Sequence, residues 1–150
     1  MSDSSGHRLT TLPSGVRVVT EAVPGGRSAA LGFFVATGSV TEPAEQAGWS
    51  HLLEHLLFRD TARYGSAEID EIFDGMGAEL NAGTGKESTS VYSRVLDQHL
   101  DRAFDVMADM VWRPAIRGED VASEQEIVLE ELAMYEDDPQ DRVFDLLGEA

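Results

Sequence analysis

His51 and His55 stand four residues apart with Glu54 between them, in the run His51-Leu52-Leu53-Glu54-His55. Each helical residue advances about 100°, so the two imidazoles would lie about 40° apart on one face, one turn above the other. Both rings could then reach a single cation. Glu54 would project beside them, near enough to take a proton from water on that cation without being a ligand. Leu52, Leu53, Leu56, Leu57 and Phe58 surround the pair and predict a largely buried helix. Burying an imidazole without a partner is costly, so the two histidines either share a metal or face water on an amphipathic helix. The metal alternative constrains the fold most. A catalytic zinc site uses three protein ligands and keeps one position open, so a distant segment must bring a third donor to this helix.

The run Ser123 to Leu132 offers that donor. A 3.6-residue rhythm predicts a helix from Glu119 to Glu136, with Val121, Glu124, Val128, Glu131 and Tyr135 on one stripe. Two acids on a stripe otherwise made of Val and Tyr are out of place in a core face, whereas Glu126 and Glu130 fall away from it as ordinary solvated charges. At this stage either Glu124 or Glu131 could meet the histidines. Two imidazoles, a carboxylate and a proton-accepting Glu54 suit hydrolysis of an amide: the cation acidifies water and polarises the carbonyl, and the carboxylate moves the proton.

The pattern His-x-x-Glu-His is that of inverted zinc metallopeptidases. With its surroundings, the chain resembles the N-terminal catalytic portion of the pitrilysin, or insulinase, family, which includes insulin-degrading enzymes and the mitochondrial processing peptidase. Gly48-Trp49-Ser50-His51-Leu52-Leu53-Glu54-His55 is similar to that family's Gly-Leu-Ala-His-Phe-Leu-Glu-His. Gly77-Ala78-Glu79-Leu80-Asn81-Ala82-Gly83-Thr84 is similar to its Gly-Ala-x-x-Asn-Ala-x-Thr, and Glu87, Thr89 and Tyr92 continue the likeness. Seventy-five residues (56–130) lie between His55 and Glu131, the family's interval to its glutamate ligand. The resemblance implies one zinc ion held by His51, His55 and Glu131, with Glu54 as general base and Glu124 supporting the catalytic centre. It also implies that the strand with Asn81 and Ala82 binds an extended peptide, main chain to main chain. Trp49-Ser50 and Arg59-Asp60-Thr61 depart from the family's Leu-Ala and Lys-Gly-Thr. The second departure predicts a different turn after the motif helix.

The implied function is a zinc-dependent endopeptidase. The alternatives are a metal-binding but inactive fragment, or a non-catalytic subunit, either needing a partner domain. Family members join two or four homologous domains, each longer than this chain. The helix opened by Asp138 and Pro139 stops at Ala150 while Val143, Phe144, Leu146 and Leu147 still lack a partner. The expectation is one domain over 1–150, truncated at its C-terminus relative to the family, with a homologous partner domain or subunit.

Composition bounds the rest. A net charge of −17 argues against nucleic acid, which needs a basic footprint; the acidity serves solubility or attracts basic peptides. No apolar run approaches a membrane span of about 20 residues, and Met1 to Arg8 lack both parts of a signal peptide. With no cysteine, disulfides and thiolate sites are excluded, which fits the cytoplasm.

The fold expected is α+β, a mostly antiparallel sheet packed against helices as in half a processing-peptidase domain. Leu9 to Leu12 and Val16 to Glu21 read as a hairpin, and Ala29 to Ala36 as a central strand because it is almost wholly apolar. Thr37 to Ala44 is a loop. Ser66 caps a helix ending at Met76 with Gly77 beyond it. Ala78 to Thr84 and Ser88 to Leu96 are strands. Asp97 caps a helix that buries Leu100, Phe104, Met107 and Val111 and stops before Pro114. His7 and His99 are read as local, not as metal ligands.

Overall fold

The structure, a computed structural model, describes residues 6–140, 143, 146 and 147. The elements follow in the order β1 (His7–Thr11), β2 (Arg17–Glu21), β3 (Ser28–Val35), α1 (Trp49–Leu57), α2 (Ser66–Met76), β4 (Glu79–Thr84), β5 (Thr89–Leu96), α3 (Leu100–Trp112) and α4 (Gly118–Asp137). Helices and antiparallel strands are thus mixed along the chain, as expected. A short 3-10 turn at Ser39–Thr41 lies within the segment expected as plain loop, and a second, at Ala44–Gln46, begins at its last residue.

β1 and β2 form an exposed hairpin closed by Leu12 N–H to Val16 carbonyl, 2.8 Å. The remaining strands make an antiparallel sheet in the order β3-β5-β4. β5, not β3, is central. The correction has a physical reason: an unbroken apolar run bears at most on the faces of a strand and says nothing of whether both its edges are paired. On β3, Ala29, Leu31 and Phe33 pack against the core, while Phe34 is 75% exposed on the other face. β5 instead alternates, with Val91, Ser93 and Val95 buried and Tyr92, Arg94 and Leu96 outward, the pattern of a strand with one covered face.

The core lies on the inner face of this sheet. Ile69, Phe73 and Met76 of α2 and Ala103, Val106, Met107 and Met110 of α3 meet Val91 and Val95 there. The buried face of α3 is offset from the one expected: Phe104 remains half exposed, with its ring 5.7 Å from Phe33. Ala103, fully buried, has nothing beyond Cβ and lets the helix approach the sheet along that line. Ser66 is not the cap of α2. Its N–H donates to Asp60 Oδ1 at 2.8 Å, so the cap comes from six residues back. At the other end Gly77 takes the left-handed φ of 61° that the sequence predicts for a C-cap. Asp97, also expected as a cap, opens a 3-10 turn before α3 and accepts the Gln98 N–H.

α1 is less buried than its apolar flanks suggest. Ser50 and Leu56 are covered, but Trp49 and Leu53 are exposed. Apolar residues surround this nine-residue helix, and β4 and α4 cover only part of its circumference. The segment 60–62 then pairs with 113–115, through Ala62 N–H to Arg113 carbonyl and Ala115 N–H to Asp60 carbonyl. That ladder brings the beginning of α4 beside the end of α1. The helix expected from Asp138 onward begins as predicted, its Oδ1 accepting the Gln140 N–H at 2.8 Å. Phe144 and the chain ends, 1–5 and 148–150, lie outside the described residues.

Candidate metal centre

α1 is fixed at its first turn from outside. Gly48, the N-cap, has a left-handed φ of 91°, a conformation that costs any residue with a Cβ about 1–2 kcal/mol. The Glu42 carboxylate accepts the N–H groups of Gly48 (2.8 Å) and Ser50 (2.6 Å). Hydrogen bonds from Ser50, then from the Gly48 backbone, hold the Glu42 carboxyl below the usual range. An acid capping the positive end of a helix is favourable. At the same turn Thr84, the last residue of β4, donates to the Ser50 carbonyl at 3.3 Å. These bonds determine how the next two turns are aimed.

Those turns carry His51 and His55, whose ring centroids are 4.8 Å apart at an interplanar angle of 82°. Their Nε2 atoms approach to 3.2 Å. Glu131 comes from α4 and places Oε2 3.7 Å from His51 Nε2 and 3.5 Å from His55 Nε2. The three candidate ligand atoms therefore converge on one point. Ligands about 2.0–2.1 Å from a tetrahedral zinc stand about 3.3 Å from one another, so the observed spacings fit that ion. All three side chains are partly exposed, leaving the point open on its outer side.

Behind His55 lies Glu124, which is only 4% exposed. Its Oε2 is 3.0 Å from His55 Nδ1, and its Oε1 accepts Arg59 Nε at 2.5 Å and Arg59 Nη2. The Glu124 side chain thus faces the back of the His55 ring, not the converging atoms. Glu54 lines, with His55, Phe58, Arg59, Ser66, Asp70 and Glu124, an open cleft of about 360 Å³. Val121 and Val128 flank Glu124 in the stripe read from the sequence, but Tyr135 at its far end is exposed.

Asn81 and Ala82 lie on β4, beside α1. Ala82 packs against the core, while Asn81 is exposed and opposite Tyr92 on the outer face. β4 pairs only with β5, so its other edge is free among the described residues. His7 is exposed on β1, and His99 meets Gln98 at 3.2 Å; neither joins the cluster. No described helix is long and apolar enough to cross a membrane.

Sequence reading missed Arg59. It passed for part of an altered turn, because its partner stands 65 positions away. The available signal was Glu124 itself, an acid on a stripe with Val121 and Val128 that would need a positive partner wherever that stripe is buried.

Comparison with known proteins gives three concordant results. The sequence model of the family described as Insulinase (Peptidase family M16) matches residues 17–150. An uncharacterized zinc protease of Mycobacterium leprae is 47% identical over 143 residues, covering 95% of this chain and 32% of that protein. One of Bacillus subtilis is 44% identical, covering 93% and 34%. A probable mitochondrial-processing peptidase beta subunit of Arabidopsis thaliana is 34% identical, covering 93% and 26%. The chain thus spans about a third of the length of the relatives it matches. In three dimensions, the crystal structure of a protease from Helicobacter pylori has a TM-score of 0.88 at 24% identity, over 92% of this chain and 34% of that one. It shows the same fold.

Proposed function

The chain belongs to the insulinase family of peptidases, family M16, and from that premise we propose that it carries the catalytic zinc site of a metalloendopeptidase. The observation that carries the proposal is the meeting of His51, His55 and Glu131 from two helices, with 75 residues (56–130) between His55 and Glu131 in sequence. Imidazole and carboxylate donors at these spacings suit zinc, and close relatives are named zinc proteases. When bound, the ion would supply Lewis acidity to water and to a peptide carbonyl.

The chain's own groups divide the remaining work. Glu54 stands one residue before His55 on α1, and in this reading its carboxylate takes the proton of the attacking water. It then returns that proton to the leaving amine, as a general base turned general acid. Glu124 holds His55 from behind, so it is a positioning group. An extended peptide is proposed to add to the free edge of β4 at Asn81 and Ala82, paired through main-chain bonds. Main-chain pairing tolerates varied side chains, which suits an endopeptidase of broad sequence preference. The lack of cysteine suits a reducing cytoplasm.

Leu129, Leu132 and Met134 of α4 are exposed. With the chain covering a third of its relatives, they favour a homologous partner domain or subunit that closes over the bound peptide. A metal-binding piece inactive alone is therefore the second reading, and activity that appears only on adding that partner would establish it.

Glu54→Gln should keep one zinc per chain yet lose cleavage of a quenched peptide, whereas Glu131→Ala should weaken zinc itself. Peptidase activity persisting in the Gln variant would discard Glu54 as the base.

A further inference from the structure

We propose that Arg59 is a positioning residue for the metal centre, acting through Glu124 to make His55 present its Nε2 lone pair. The inference rests on the zinc reading above. Arg59 follows the last turn of α1, where its N–H meets the Leu56 carbonyl at 3.2 Å. Its guanidinium therefore starts from a fixed point. Nε and Nη2 both donate to Glu124 Oε1, and a guanidinium can only donate. Oε1 is thereby taken, and the carboxylate is turned so that Oε2 accepts from His55 Nδ1 at 3.0 Å. An imidazole that donates from Nδ1 has its lone pair on Nε2. Nε2 is the atom 3.2 Å from His51 Nε2 and 3.5 Å from Glu131 Oε2.

Burial makes this chain of contacts necessary. Glu124 is 4% exposed, and a carboxylate so covered needs a partner charge. Arg59 is the cation that meets it. The neighbouring residue reinforces the same joint: Asp60 pairs with Arg117, the N-cap residue of α4. Arg59 and Asp60 thus hold α4 at positions 124 and 117, about 10 Å apart along the helix. Glu131 extends from that same helix.

The test uses the full chain, metal-free and zinc-loaded. Zinc affinity is measured by competition with a chromophoric chelator, and the imidazole tautomers of the metal-free protein by long-range proton–nitrogen NMR. The wild type should show His55 protonated at Nδ1. Arg59→Met should weaken zinc by roughly 10-fold or more, the range for loss of groups that orient ligands, and should mix the His55 tautomers. Arg59→Lys should recover most of both. Glu124→Gln should weaken zinc similarly, and the double variant should be no weaker than Glu124→Gln alone, since one path is broken twice.

Wild-type affinity in Arg59→Met, an unaltered His55 tautomer, or additive losses in the double variant would each overturn the proposal. If Arg59→Met does not fold, Arg59→Gln, which keeps a neutral donor in the same space, carries the same test. A wild type that binds no zinc would sink the preceding reading, while the tautomer spectrum would still decide the link to Arg59.

Discussion

Two polar clusters stand at either end of the three-residue segment Arg59-Asp60-Thr61, and they are balanced in opposite ways. In one, the fully buried Asp109 of α3 accepts from Thr61 Oγ1 (2.7 Å), Arg63 Nε (3.1 Å) and Arg113 Nε (2.5 Å). Arg63 also bonds Asp105, which accepts from Tyr64 as well. Every acceptor there meets a donor. In the other, the Nε2 atoms of His51 and His55 and Oε2 of Glu131 converge, while the Arg59 guanidinium is spent on Glu124 behind them. A cluster whose acceptors and donors match is complete and serves the fold. One whose ligand-type atoms converge offers a place for a cation, and that asymmetry is what distinguishes the proposed metal centre.

The largest effect expected from this contrast is the response to zinc. An ion that binds only the folded chain stabilises it by about 4 kcal/mol at a free concentration 1,000 times its Kd. Thermal unfolding should therefore shift upward with zinc and back with a chelator. His51→Ala and Glu131→Ala should abolish the shift, and Asp109→Asn should retain it. A zinc shift that survives both ligand variants would erase the distinction between the clusters.

Asp109→Asn tests the complete cluster. The half-exposed Arg63 and Arg113 would keep water, but a buried amide in place of the carboxylate turns an NH2 toward donors and leaves buried hydrogen-bonding groups unmet, at a cost of about 1–3 kcal/mol. Denaturant unfolding of the metal-free chain should show that loss, with zinc affinity of the folded fraction unchanged.

How much of this was legible in the sequence depends on periodicity. His51, His55, Glu124 and Glu131 were found because two helical stripes each carried residues wrong for a plain core. The family likeness implies Glu131, not Glu124, as the acid that joins both histidines. The central strand was misassigned because apolar continuity on β3 reports on faces, whereas pairing depends on edges. Neither the Asp109 cluster nor Arg59 was visible. Their partners lie 46 and 65 positions apart, and a single Arg or Asp in a chain with 28 acids carries no periodic signature.

Acid should separate the clusters next. Burial raises the Asp109 carboxyl, but hydrogen bonds from Thr61, Arg113 and Arg63 outweigh it and leave the pKa lowered. Asp105 is lowered chiefly by its bond from Arg63. A carboxyl lowered by folding adds stability above its unfolded value of about 3.9, and that stability is lost as pH falls through the folded value. The metal-free chain should thus hold its midpoint down to about pH 4 and lose it below that. Asp109→Asn should flatten the acid limb. An unchanged limb in the Asn variant would remove Asp109 from the account.

The smallest effect is the sharpest discriminator, because it acts two residues from Arg59. The Thr61 hydroxyl donates to Asp109 and accepts the N–H groups of Arg63 (3.1 Å) and Tyr64 (2.9 Å). Thr61→Val keeps the shape and removes that oxygen, leaving partners of a buried group unmet at a cost of about 2 kcal/mol. Zinc affinity and the His55 tautomer should not move, although Thr61 and Arg59 share one short turn. If Thr61→Val weakens zinc as Arg59→Met does, the segment works as a single hinge, and the two clusters are one device. If only stability falls, adjacent side chains of one loop serve separate ends: Thr61 the packing of α3, and Arg59 the aim of the imidazole.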